Sequence, residues 1–266
     1  FVVMVTELGT IKKTPLTEFS NPRRGGIAAI GLGKGDRLID VRLTDGKQDI
    51  VIGTRSGMAI RFHENEVRPM GRTASGVRAI TLGKHDRVVG SIGLRRSDTS
   101  ILIATELGYG KRSETGEYRV SHRGGKGIIT VKTTEKTGPM IAITEVMETD
   151  DVVIVTNGGK IIRQHASDIR VAGRNTQGVR LIRLEAKDLV SDVSAVPSEE
   201  DEVVEAQAVR AERALKASDA QPRAEAPPQA PPAKPDTRTA AKPGTQERQP
   251  AQPARKSGGR RRGKRR

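Results

Sequence analysis

Hydrophobic positions fall in short runs along this chain, not in long periodic stretches. Val2-Val3-Met4-Val5, Ile50-Val51-Ile52, Ile101-Leu102-Ile103 and Val152-Val153-Ile154-Val155 are rich in β-branched side chains and are followed within a few positions by Gly, Asp or Ser. That is the chemistry of strands and tight turns. Few segments carry the 3.6-residue period that an amphipathic helix needs. The pattern predicts an all-β chain of many short strands.

The runs also recur. Gly26, Gly76, Gly127 and Gly178 each precede a strand-like run and lie 50, 51 and 51 residues apart. A turn glycine follows an apolar strand at Gly9, Gly57, Gly108 and Gly159, and Thr6-Glu7-Leu8-Gly9 returns letter for letter as Thr105-Glu106-Leu107-Gly108. Leu32-Gly33-Lys34-Gly35-Asp36-Arg37 returns as Leu82-Gly83-Lys84-His85-Asp86-Arg87. Each repeat reads as four strands; in the second they run roughly over Asp49–Thr54, Met58–His63, Gly76–Leu82 and Arg87–Leu94. A four-stranded unit with this period predicts a propeller-like fold, because one blade alone cannot bury both of its faces. The expected blades are about 1–47, 48–98, 99–150 and 151–196. Phe1 lies inside an apolar run, so the chain is expected to be a fragment with at least one more blade upstream.

Past Val196 the pattern stops. Residues 197–266 are dominated by Pro, Ala, Gln and charged side chains, which have little apolar surface to offset the entropy of ordering. A disordered tail is expected, with Glu199–Ala217 holding at most a short helix. Its cationic end, from Arg255 to Arg266, is expected to act as a nonspecific DNA-binding arm.

Charge sharpens the picture. The net charge is +15, and the tail does not account for it: residues 1–196 hold 31 basic and 22 acidic residues, residues 197–266 hold 16 and 10. The repeating part is basic in its own right, which points to a polyanion. Three Phe and two Tyr leave little to stack on unpaired bases, so duplex DNA held by its phosphates is the better fit. The absence of cysteine removes disulfides and thiolate chemistry and fits a cytoplasmic protein. No apolar run approaches the roughly twenty residues of a membrane span.

The cations repeat in register. Arg72, Arg123 and Arg174 each stand four residues before their anchor glycine, beside small residues, and Arg23 and Arg24 fill the corresponding loop of the first repeat. Glycine-rich loops flanked by cations leave room for a phosphate and can form anion-binding nests. A second set follows the turn glycine: Lys12 and Lys13, Arg61, Lys111 and Arg112, and Lys160 with Arg163. Both sets, with Lys126, are expected to form a DNA track that is sensitive to salt and nearly indifferent to sequence. Enzyme chemistry finds no footing. No Walker loop and no nucleophile elbow is present, and His63, His85, His122 and His165 lack metal-ligand spacing. Asp36 and Asp86 read as turn formers and Tyr109 and Tyr118 as packing or rim residues.

Three segments carry a family resemblance: Gly108-Tyr109-Gly110-Lys111-Arg112, Gly173-Arg174-Asn175-Thr176-Gln177-Gly178-Val179, and the Lys12-Lys13-Thr14 stretch that runs on to Phe19. Over about residues 1–196 the chain resembles the C-terminal domain of the DNA gyrase A subunit. The resemblance implies a β-pinwheel of six blades that exchange strands and wrap duplex DNA on a basic rim. It implies an intact enzyme that is an ATP-dependent type II topoisomerase with two A and two B subunits, introducing negative supercoils. ATP and Mg2+ would sit on the catalytic core and the partner subunit, with no cofactor in this fragment and its catalytic tyrosine absent. The family's diagnostic box, QRRGGKG, has only a degenerate copy here, Ser121-His122-Arg123-Gly124-Gly125-Lys126-Gly127, and a full box is expected upstream. The topoisomerase IV A subunit is the nearest rival, and a non-enzymatic scaffold for acidic partners is a rival of another class.

Overall fold

The computed structural model describes residues 1–96 and 98–197. The expected tail from residue 198 onward lies outside the described residues. In chain order the strands are β1 (Val2–Thr6), β2 (Thr10–Thr14), β3 (Leu38–Leu43), β4 (Asp49–Thr54), β5 (Met58–His63), β6 (Val77–Arg78), β7 (Val88–Leu94), β8 (Ser100–Thr105), β9 (Tyr109–Glu114), β10 (Ile128–Ile129), β11 (Met140–Val146), β12 (Asp151–Thr156), β13 (Ile161–His165), β14 (Val179–Arg180) and β15 (Val190–Val196). They form four antiparallel sheets ordered β3-β1-β2-β6, β7-β4-β5-β10, β11-β8-β9-β14 and β15-β12-β13.

The sheets do not follow the repeats. The outermost strand of each four-stranded sheet comes from the next repeat: β6 pairs with β2, β10 with β5 and β14 with β9. The four strands expected within the second repeat are therefore divided between two blades, and only two residues of the expected Gly76–Leu82 strand form a ladder. The fourth sheet has three strands among the described residues, because no later repeat there donates to β13. The run Ile27–Ile30 of the first repeat belongs to no ladder.

Strand exchange explains the anchor glycines. Gly76, Gly127 and Gly178 have φ of +99°, +77° and +77°, and a Cβ at each would overlap the carbonyl oxygen of Ile11, Ala59 or Gly110 on the acceptor strand. Only glycine combines the left-handed turn with so close an approach. Gly26 has the same conformation, φ +78°, with no heavy atom within 4 Å of its Cβ position.

Packing runs between blades. On β4, Ile50 and Ile52 pack with Val3 and Val5 of β1 in the preceding blade and with Phe62 of β5, while Val51 faces Ile101 and Ile103 of β8. A third cluster joins Leu102 to Val152 and Ile154. A strand covered on both sides is apolar at consecutive positions, which is why these strands read as continuous runs. The inner strands β3, β7, β11 and β15 touch in sequence. Asp36, Asp86 and Asp188 accept backbone N–H bonds from Leu8, Ser56 and Gly158 across their turns, the role read for the first two. Tyr118 is buried, its hydroxyl 2.5 Å from Thr130 Oγ1.

Candidate nucleic-acid interface

The loops that lead into the donated strands lie at the outer edge of each blade. Each begins as an extended segment beside the second strand of the preceding blade, in parallel bridges Lys13↔Pro69, Arg61↔Val120 and Arg112↔Val171. The same backbone bond recurs in all three, from Met70, Ser121 and Ala172 N–H to the carbonyls of Lys13, Arg61 and Arg112, at 2.8 Å. The chain then passes the arginine and the glycines and returns as β6, β10 or β14.

The first cation set sits on these loops. Arg23 and Arg24 are exposed; Arg72, Arg123 and Arg174 are half-buried. Arg123 donates through Nη1 to the Arg78 carbonyl (2.9 Å) and through Nε to the Glu66 carbonyl (3.0 Å). Arg174 repeats the first contact with the Ile129 carbonyl (3.0 Å), and its backbone N–H reaches Glu117 (2.8 Å). These guanidiniums tie the loop to the neighbouring blade and keep one edge toward solvent. In the degenerate box, Gly124 N–H donates to the Ala79 carbonyl (2.6 Å), Ser121 Oγ to the Arg61 carbonyl (3.1 Å), and Gly125 accepts from Thr81 N–H (2.8 Å). His122 Nδ1 lies 2.6 Å from Glu66, and this hydrogen bond holds the Glu66 carboxyl below its usual range. Lys126 is exposed, with no partner among the described residues.

The second set behaves differently, and four of its members leave the expected track. Lys12, Lys13, Lys111 and Arg112 are buried. Lys12 Nζ donates to the carbonyls of Ala29 (2.6 Å) and Arg72. Lys111 Nζ repeats this with Gly173 and Arg174 (2.6 Å for the latter). Lys13 donates to the Glu64 carbonyl (2.8 Å), with the Glu64 carboxylate at 3.7 Å. Arg112 donates to the Ile169 carbonyl (2.8 Å). These cations fasten one blade to the next loop. Burial pushes the Lys111 ammonium down to about 8 and lowers Lys12 in the same direction. Arg61 and Arg163 form the same ion pair in two blades, with Asp49 (2.7 Å) and Asp151 (2.6 Å to Nε). Lys160 pairs with Glu185 at 2.9 Å.

A third set was missed by the sequence reading. Arg68, Arg119 and Arg170 are 51 residues apart, exposed, and free of side-chain partners among the described residues. Each lies on the extended segment just before its bridge residue. Arg78 and Arg180 are exposed on the donated strands, Arg180 3.1 Å from the Tyr109 hydroxyl. The signal was present in the sequence as a third in-register arginine, outside the glycine loops.

No group of His, Asp and Glu that could hold a metal occurs among the described residues, and no helix there is long and apolar enough to cross a membrane. The fold and this edge define a strand-exchanging propeller with a cationic outer surface. The chain belongs to the DNA gyrase C-terminal domain family of beta-propellers, whose model matches residues 1–45, 48–92, 99–143 and 150–197. It is 47% identical over 203 residues to the DNA gyrase A subunit of Staphylococcus aureus strain MRSA252, covering 76% of this chain and 23% of that relative. The match to the same protein of strain NCTC 8325 is also 47%, over 207 residues and 77% of this chain, again 23% of the relative. The chain thus spans less than a quarter of the length of these relatives. Among solved structures, the C-terminal domain of DNA topoisomerase IV matches with a TM-score of 0.71 and 28% identity, covering 74% of this chain and 62% of that one. The DNA gyrase A C-terminal domain matches with 0.67 and 24%, covering 73% and 64%.

Proposed function

We propose that this chain binds duplex DNA along its outer edge and curves it, as the C-terminal part of an ATP-dependent type II topoisomerase that introduces negative supercoils. The observation that carries the reading is the recurrence of exposed or edge cations on equivalent loops and donated strands: Arg68, Arg72 and Arg78 in the second repeat, Arg119, Arg123 and Lys126 in the third, Arg170, Arg174 and Arg180 in the fourth. Arg23 and Arg24 open the series.

Magnitudes support it. Bending DNA by about 45° over about ten base pairs costs roughly 2–3 kcal/mol in a smooth elastic estimate. Each phosphate neutralised near 0.1 M salt returns about 1 kcal/mol through counterion release. Three cations per repeat offset that cost, even with Lys12, Lys13, Lys111 and Arg112 withdrawn from the track. Because the contacts are to phosphates, binding falls steeply with salt.

In the intact protein this part would work in a cytoplasmic assembly of two A and two B subunits, ATP and Mg2+ being held by the catalytic core and the partner B subunits. Solved domains of both gyrase and topoisomerase IV share the fold, so the fold does not separate them; the 47% identity to the gyrase A subunit favours gyrase. The test is a bend-sensitive energy-transfer assay on linear duplex at low salt. Efficient transfer between the DNA ends supports the reading, and straight DNA in the presence of saturating protein defeats it. Heparin competing as well as long DNA would favour the acidic-partner scaffold.

A further inference from the structure

Arginine identity at most repeated positions is explained by the fold. Arg123 and Arg174 each reach a carbonyl one blade away, which needs a long forked donor. The slot of Lys13, Arg61, Arg112 and Arg163 accepts either cation, and its side chains find carboxylates or carbonyls of the protein. Arg68, Arg119 and Arg170 are the exception. All three loops carry arginine there, all three side chains are exposed, and none has a partner among the described residues. Nothing in the packing asks for a guanidinium in place of an ammonium.

The backbone under them is fixed. Each precedes a residue held in a parallel bridge, so the three side chains leave equivalent points on three successive blades. A phosphate track takes either cation, lysine as a point charge and arginine as a planar fork. A guanidinium differs in being planar and more weakly hydrated than an ammonium, so it gives up less solvation on entering a narrow minor groove, where the negative potential is enhanced. Minor grooves face a curved protein surface about every ten base pairs and narrow most readily where A·T pairs lie.

We infer that Arg68, Arg119 and Arg170 insert into successive inward-facing minor grooves and set the rotational phase of the bound duplex, so that the preferred ligand is DNA with A·T-rich steps repeated in phase with the helix. This rests on the DNA-binding reading and adds sequence phase to a surface otherwise blind to sequence. The contact is made to groove floor and width, not to the major-groove edges. Arg123 and Arg174, whose guanidiniums are tied to the neighbouring blade, and Arg72 in register with them stay with the phosphates on either side.

The experiment compares three duplexes of one length, the first two of one composition, bound by the 266-residue chain at fixed salt. One carries A-tracts at ten-base-pair intervals, a second carries them out of phase, and a third repeats the first with every tract adenine replaced by 2,6-diaminopurine, which adds an amino group in the minor groove. The expected result is a preference of roughly threefold to tenfold for the first over both others. Arg68→Lys, Arg119→Lys and Arg170→Lys together should reduce that preference below about twofold while leaving the salt slope unchanged, since no charge is lost. A wild-type chain indifferent to phase overturns the inference, and so does a lysine variant that keeps the full preference, because intrinsic curvature then explains it. Equal binding of the diaminopurine duplex also overturns it. Failure of the wild-type chain to bind any duplex overturns the DNA-binding reading itself, a distinct result.

Discussion

Replacing Lys111 by Met tests whether a cation in register is a DNA contact or a fastener between blades. The ammonium donates to the Gly173 and Arg174 carbonyls while its stem is fully covered. Met keeps the length and the apolar stem and removes both bonds. Leaving a carbonyl out of water without a donor costs about 1–3 kcal/mol; the Arg174 carbonyl is left so, while the Gly173 carbonyl keeps the Thr176 hydroxyl at 2.8 Å. Against this stands relief from burying a charge, which is large enough to pull the lysine down to about 8. The net expectation is a loss of about 1 kcal/mol, which for a domain near this size lowers Tm by about 2–4 °C. The slope of log affinity for DNA against log salt should not change. Thermal melting followed by circular dichroism, with anisotropy binding at several salt concentrations, reads both. A Tm within a degree of wild type, together with a slope reduced by about one, would refute the fastening role and return Lys111 to the track.

The same pair of proteins has a pH signature. Lys111 gives up its proton near 8 when folded and near its ordinary 10.5 when unfolded. Between those values the unfolded chain binds more protons, so this group makes stability rise with pH. Below about 8 its penalty is fully present, and it is relieved as pH climbs toward 10.5. The Tm of wild type minus that of Lys111→Met should therefore increase from pH 8 to pH 10; a flat or falling difference would contradict the burial.

Other outcomes follow from single contacts. Gly127→Ala puts a Cβ on a left-handed residue against the Ala59 carbonyl, and should cost about 2 kcal/mol or more in thermal unfolding; a neutral effect would mean β10 does not dock on β5. Arg119→Ala and Arg170→Ala should each weaken DNA binding about fivefold near 0.1 M salt and lower the salt slope by about one, with Tm unchanged. Tyr118→Phe removes the bond to Thr130, and should cost about 1 kcal/mol with no effect on DNA.

The strands were legible where local chemistry decides them. Asp49–Thr54 and Met58–His63 are bounded by a turn glycine and filled with β-branched residues, and they form as read. The partner of Val77–Arg78 was not legible, because a two-residue strand carries no mark of which blade it joins. The family resemblance supplied strand exchange; periodicity did not. The charges show the converse difficulty. Lys12 and Lys111 recur in register because both fasten blades, and a repeat preserves structural cations as faithfully as functional ones. A clue was present: the same slot holds Ile60 and Ile162, and a position that exchanges lysine for isoleucine between repeats is a covered one.

On the proposed reading, strand exchange suits an edge that bends DNA. A bent duplex pulls outward on the loops that hold it. The loops of the second, third and fourth repeats are fixed at both ends to the preceding blade, by a parallel bridge just after Arg68, Arg119 or Arg170 and by the antiparallel ladder of the donated strand. The Arg72 and Arg174 loops are held in the middle as well, by Lys12 and Lys111. Two or three such bonds, at about 1 kcal/mol net each, match the roughly 2–3 kcal/mol that one blade's share of bending requires. The load on one repeat therefore passes into its neighbour, not into its own fold. The spacing of cations along the edge is set by blade-to-blade contact, so a duplex bound there as proposed would take a curve as rigid as the stack itself.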